Sequence, residues 1–209
     1  MRNKIVMAAA EEMIARGLKF TMGDLAGKLH VSKSSLYEYF PSKEAIVNGV
    51  LEMALDDMRR LDDAIYDDPK LSLAEKLRAL FEVVPTVFGP INNRRLFDDL
   101  RLHHPDGEQM IAAFKEEQFR RQSALIAEGV ANQSVRRVNM QVLQQLMVSA
   151  TNELFTYRFL ADSKLTIAEA LAALADIIVF GLMPQNERQP LASDKKLAGA
   201  DTYVDKISS

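Results

Sequence analysis

The sequence predicts an all-α protein in which three short N-terminal helices are joined by a long fourth helix to a larger helical body. Apolar residues recur at helical spacing along most of the chain, and no segment alternates as a half-buried strand would. Hydroxyl residues followed three positions later by a carboxylate, Thr21 with Asp24, Ser72 with Glu75 and Thr166 with Glu169, mark helix starts. Two short helices sit back to back around His30-Val31.

The first helix carries Ile5, Val6, Ala9, Ala10, Met13 and Ile14, and Gly17 supplies a left-handed stop. Thr21 opens a second helix with Leu25, Ala26 and Leu29 inward, and Ser32 caps a third that runs through Leu36, Tyr37 and Phe40 to Pro41. Ser42 starts the fourth, whose apolar positions from Ile46 to Ile65 are unbroken, a length suited to bridging two domains. Ser72 opens a fifth helix through Phe81, with a break at Gly89-Pro90, and the segment from Ile91 to Leu102 reads as a sixth. A seventh runs from Met110 toward Gly129, an eighth from Asn139 through Tyr157, and a ninth follows Thr166. Beyond Pro184 periodicity is lost, which predicts a mobile tail over 185–209. The expected division is an N-terminal head at 1–47 and a larger helical body at 48–184.

Composition bounds the function. With 209 residues, 48% of them hydrophobic and 26% charged, the chain can bury a sizeable core and is not of the disordered class. The absence of cysteine excludes disulfides and thiolate metal sites and fits a cytoplasmic protein. The apolar run near the N-terminus is cut by Glu11 and Glu12, too early for a signal peptide, and no stretch is long enough to span a membrane. Net charge is −3, yet the first 50 residues hold seven basic against five acidic side chains. A mildly basic head on an acidic body makes any phosphate contact local.

Two short helices around a tight turn, held by the first and fourth helices, form a helix-turn-helix. With Leu25, Ala26, Leu29, Val31, Leu36 and Phe40 inward, the third helix shows Lys33, Ser34, Ser35, Glu38 and Tyr39 outward, with Tyr37 at its flank. These side chains suit a major groove, and free N–H groups at the helix starts of Ser32 and Ser42 suit phosphates. Glu38 would repel phosphate and reads as a solvated position.

The stretch TMGDLAGKLHVSKSSLYEYFPSKEAIV resembles the DNA-binding signature of the TetR family of transcriptional regulators, most specifically in Leu36-Tyr37, Phe40 and Lys43. The resemblance implies a nine-helix fold and a repressor that binds a palindromic double-stranded DNA operator as a homodimer and is released by a small molecule. It further implies that Thr21, Tyr37 and Lys43 touch phosphates while Lys33, Ser34, Ser35 and Tyr39 read bases. His30 stands where family members often have Gly, so the turn must hold a bulkier residue, in a left-handed conformation that His tolerates better than most.

The body carries two further signals. The segment IAEALAALADIIVFGL is apolar almost all round, so it must be buried on more than one side. An intersubunit four-helix bundle with the eighth helix, through Leu143, Leu171, Leu174 and Ile178, would satisfy it. A fully buried central helix within one subunit is the alternative. The body also holds more large flexible apolar residues than a minimal bundle needs, among them Phe81, Phe88, Phe97, Met110, Phe114, Met147 and Phe155. Such a bundle can enclose a cavity, with Arg101, His103, Asn152 and Tyr157 available to orient an amphipathic or aromatic effector of unknown identity. The same residues would also make an ordinary core. No cofactor or metal is expected, since His103-His104 has no third ligand nearby and reads as a loop or pocket edge. No nucleophile–base pair or phosphate loop suggests an enzyme. A helical adaptor that uses the same surfaces for protein contacts is the other reading.

Overall fold

The computed structural model describes residues 1–84, 96–154 and 156–184; the side chains of Phe97, Tyr157 and Leu160 lie outside that description. The described residues form ten α-helices and no strand. They are α1 (Arg2–Arg16), α2 (Met22–Leu29), α3 (Lys33–Tyr37), α4 (Lys43–Asp67), α5 (Leu73–Glu82), α6 (Leu96–His103), α7 (Pro105–Ala131), α8 (Met140–Leu154), α9 (Tyr157–Ser163) and α10 (Ile167–Leu182). No described helix is long and apolar enough to cross a membrane.

The expected helix starts carry the expected caps. Thr21, Ser72 and Thr166 each accept from the backbone N–H three residues on, and the carboxylates of Asp24, Glu75 and Glu169 accept in return, closing three capping boxes. Gly17 ends α1 at φ 64°. His30 is left-handed at φ 54°, ψ 42°, where its N–H bonds Gly27 O and that of Val31 bonds Ala26 O, a Schellman turn built without glycine.

Two helices differ from expectation. α3 stops at Tyr37, so Glu38 and Tyr39 lie in the turn before Pro41 rather than on the helix. The eighth helix stops at Leu154, because Thr156 turns out of it and caps a separate α9 by accepting from Phe159 N at 3.3 Å. With that split the described residues form ten helices where nine were expected. The expected Gly89-Pro90 break, the residues 91–95 of the sixth helix and the tail 185–209 lie outside the described residues.

Packing builds two cores. The first gathers Ile5, Ala9 and Met13 of α1, Leu25 of α2, Leu36 and Phe40 around Ile46, Val50 and Ala54 of α4, and continues into Leu96 and Leu100 of α6. The second joins Leu77 and Phe81 of α5, Ile126 of α7 and Leu143 and Met147 of α8 to Ala175, Ile178 and Leu182 of α10. The loop between α7 and α8 is pinned to α10, with Arg136 N–H on Leu182 O at 2.9 Å and the Arg136 guanidinium on Gly181 O. Gly129 has no room for a side chain there: an added Cβ would lie 2.6 Å from Val135.

One buried group works against the fold. Asp62 on α4 is 2% exposed, and its Oδ2 has no hydrogen-bond partner among the described residues. Burial pushes its pKa up to about 6, only partly offset by the charge of Arg121. The folded protein therefore holds this proton more tightly than the unfolded chain, and the favourable contribution is lost as pH rises from about 4 through about 6. Asp62→Asn should leave stability near the parent's at pH 4 and raise it by roughly 2 kcal/mol at pH 7.5. Denaturant melts at the two pH values check this; an equal effect at both would contradict it.

Candidate nucleic-acid interface

Two apolar side chains, one on α3 and one just after it, fix the helix in the head. Leu36 and Phe40 are buried, and Phe40 is clamped from outside by Arg2, whose guanidinium lies 4.2 Å from the ring centre and donates to Tyr39 O at 3.2 Å. The sequence reading missed Arg2, although the basic N-terminus was the available signal. Ser32 Oγ accepts from Ser35 N at 3.1 Å and lies 2.9 Å from Ser35 Oγ, so both hydroxyls are held at the start of α3. Lys33, Ser34, Tyr37, Glu38 and Tyr39 are exposed and Ser35 is half-buried.

Three candidates sit differently from the simple docking picture. The stem of Lys33 lies across the start of α2, where an added Cβ on Gly23 would be 3.1 Å from its Cε. That places its charge beside Thr21, at the edge of the reading surface. Thr21 Oγ already donates to Asp24 Oδ2 at 2.8 Å, which holds the Asp24 carboxyl below the usual carboxylate range. Lys43 is half-buried, donates to Leu18 O and lies 5.0 Å from the Phe20 ring centre, so it ties α4 to the turn after α1. Lys28, also basic, is held by Glu11 at 2.8 Å and Glu12 at 3.0 Å.

A crevice between head and body is bordered by Lys43 and Glu44 on one side and Asp99, His103 and His104 on the other. His104 is buried and its Nε2 lies 2.7 Å from Asn48 Oδ1 of α4, while Gly107 packs against both His104 and Leu51. Among the described residues no group of three or more His, Asp or Glu is placed to hold a metal.

Inside the body is an apolar cavity of about 220 Å³. Leu51, Ala54 and Leu55 of α4, Leu96 and Leu100 of α6, and Phe81, Phe114 and Met147 line it. Of the residues expected there, Phe81, Phe114 and Met147 are in place. Arg101 is instead exposed and paired with Asp98 at 3.1 Å, His103 borders the outer crevice, and Met110 packs against the first core. Asn152 is exposed and does not line the cavity. Phe155 and the side chains of Phe97 and Tyr157 lie outside the described residues. The polar lining was not anticipated: it is Lys115, Gln118 and Gln122 of α7, with Thr151 of α8. Their spacing of three and four along one helix was legible, but they were masked by the phenylalanines among them.

The dimerisation residues need correction. Leu143, Leu171 and Ile178 are buried inside the subunit and Leu174 packs against the same core, because α10 seats that side on α5 and α8. The opposite sides of α8 and α10 expose Val142, Leu146, Ile177 and Phe180, with Ile177 69% exposed.

A helix-turn-helix with a buried core thus stands in front of a cavity-bearing helical body. The family described as bacterial regulatory proteins, tetR family, is matched over residues 5–50. The chain is 26% identical over 186 residues to the HTH-type transcriptional regulator YvaF of Bacillus subtilis (strain 168), covering 88% of this chain and 97% of that one. The fold is shared with the TetR family regulator PfmR of Thermus thermophilus (21% identity, 86% of this chain and 99% of that one, TM-score 0.62). It is also shared with the regulator FadR of Bacillus subtilis, in complex with stearoyl-CoA (18% identity, 87% and 100% covered, TM-score 0.66). The chain is thus similar to the tetR family over its head and shares its fold with solved regulators over most of its length.

The tie made by Lys43 has a measurable consequence. Lys43→Ala should lower folding stability by about 1–2 kcal/mol, through loss of its bond to Leu18 O and its contact with Phe20. A thermal melt unchanged from the parent would show that Lys43 is not a structural tie.

Proposed function

We propose that the protein is a cytoplasmic repressor that binds a palindromic operator as a homodimer and is released when an amphipathic or aromatic small molecule occupies the body. The observation that carries this reading is that one apolar core serves both ends. Leu51, Ala54, Leu96 and Leu100 belong to the cluster that holds α1 to α3, and the same four side chains wall the cavity. A ligand that favours one packing of that wall shifts the population of head orientations by its differential affinity. That FadR of Bacillus subtilis was crystallised with stearoyl-CoA supports an effector with a long apolar part.

On DNA, Ser34, Ser35 and Tyr39 read bases while Tyr37, Lys33 and the start of α2 at Thr21 take phosphates, with Ser32 positioning α3. Lys33 moves from the base-reading to the phosphate set because its stem lies on Gly23. The dimer forms through the exposed sides of α8 and α10, which would bring two copies of α3 to half-sites about one DNA turn apart.

A gel shift and footprint on the DNA flanking the protein's own gene tests the whole reading, and protection of one asymmetric half-site by a monomer would contradict it. Lys33→Ala should weaken binding to all sequences and flatten the salt slope by roughly 0.9, whereas Ser35→Ala should change preference at particular base pairs. Ile177→Glu should give a folded monomer with poor operator affinity, because the new charge faces the partner; Ile178→Glu should unfold the subunit instead. Sedimentation and circular dichroism on the pair separate the two outcomes, and a dimeric Ile177→Glu protein would overturn the interface. Met147→Trp fills the cavity and should abolish release by effector while operator affinity stays within about threefold of the parent.

A further inference from the structure

We propose that the cavity takes a monoanionic amphiphile, with its charged head on Lys115 and its apolar body against α4 and α6. The inference rests on the effector reading above and narrows its chemistry. Among the described residues lining the cavity, Lys115 is the only ionisable one. Among the described residues no carboxylate stands within ion-pair distance of it, and its ammonium donates only to Asn152 Oδ1, at 2.7 Å. Burial disfavours its charge and Arg101 adds to that, against a favourable contribution from Glu108 farther up α7. A half-buried cation on an apolar wall without a counterion is an unfavourable arrangement that an incoming anion relieves. A cationic ligand would be repelled, and a neutral one would leave the ammonium as it is.

The polar row also sets direction. Lys115, Gln118 and Gln122 follow one face of α7 over roughly 10 Å. Gln118 Nε2 is buried without a hydrogen-bond partner among the described residues, though near enough to Asp62 to favour that carboxyl's charged form. Asp62 therefore makes the Gln118 end unfavourable for an anion, while Asn152, which is exposed, marks the Lys115 end as the side toward solvent. The charged head sits at Lys115 and the apolar body runs inward, toward the leucines shared with the head's core.

Calorimetric titration of the full chain with decanoate, decanol and decyltrimethylammonium tests this, alongside the same titrations of Lys115→Met, Lys115→Gln and Lys115→Arg. Decanoate should bind the parent at least about tenfold more tightly than decanol, and the cation least. That preference should vanish in Lys115→Met and Lys115→Gln, persist in Lys115→Arg, and leave decanol affinity within about twofold throughout. Equal binding of decanoate and decanol to the parent, or a carboxylate preference that survives in Lys115→Met, would overturn the inference. Should decanol and decanoate release the operator with equal potency, the anionic head is wrong and the effector reading stands. Should none of the three bind or release the operator, both fail.

Discussion

The constraint on which the rest of the structure depends is that α4 must be buried twice along one unbroken helix. Its first turns, at Ile46, Val47 and Val50, close the core that fixes α1, α2 and α3, and its middle turns, at Leu51, Ala54 and Leu55, wall the body's cavity. Nothing separates these functions: residues 43–67 contain no proline, and the only glycine, Gly49, is packed against Phe40 and Val6. Close-packed interiors respond to a change of volume by shifting side chains and helices, not by absorbing it locally. A change at Leu51 or Leu100 is therefore felt at Phe40 through a continuous apolar contact, without any dedicated relay.

The same helix anchors the head by polar means. Lys43 reaches back to Leu18 O, and Asn48 meets the buried His104 at the start of α7. Arg2 closes the other side of the head on Phe40. Charges that a sequence reading assigns to DNA are thus partly spent on holding the reading surface in place, and the basic surplus of the first 50 residues overstates what is available to phosphate. Lys28 shows the same effect, since Glu11 and Glu12 neutralise it.

Much of the fold was legible because its signals are local. Caps at Thr21, Ser32, Ser42, Ser72 and Thr166, the stop at Gly17 and the left-handed His30 depend on neighbours within a few residues, and each was readable in the sequence. The sharpest misses were long-range. An all-round apolar α10 says that two sides are covered but not which side faces its own subunit, so Ile178 was assigned outward and Ile177 overlooked. For the cavity, periodicity marked Phe81, Phe114 and Met147 as inward, yet the placement of Arg101 and His103 depended on how α6 meets the head. Lys115 illustrates the remaining difficulty, because a lysine on an amphipathic helix ordinarily reads as a solvated residue and only the arrangement of neighbouring helices turns it toward an apolar space.

The central claim, that head and cavity share one core, is open to a test that needs neither operator nor effector. Leu100 on α6 is 2% exposed and lies in the cluster that includes Ile5, Leu36 and Phe40. Leu100→Ala should leave a cavity that destabilises the whole cluster by about 2–4 kcal/mol. Native-state hydrogen exchange should then show faster opening of amides in α1, α2 and the first turns of α4, as well as in α6 and α7. Faster exchange confined to α6, α7 and the distal half of α4, with the head's amides unchanged, would contradict the account.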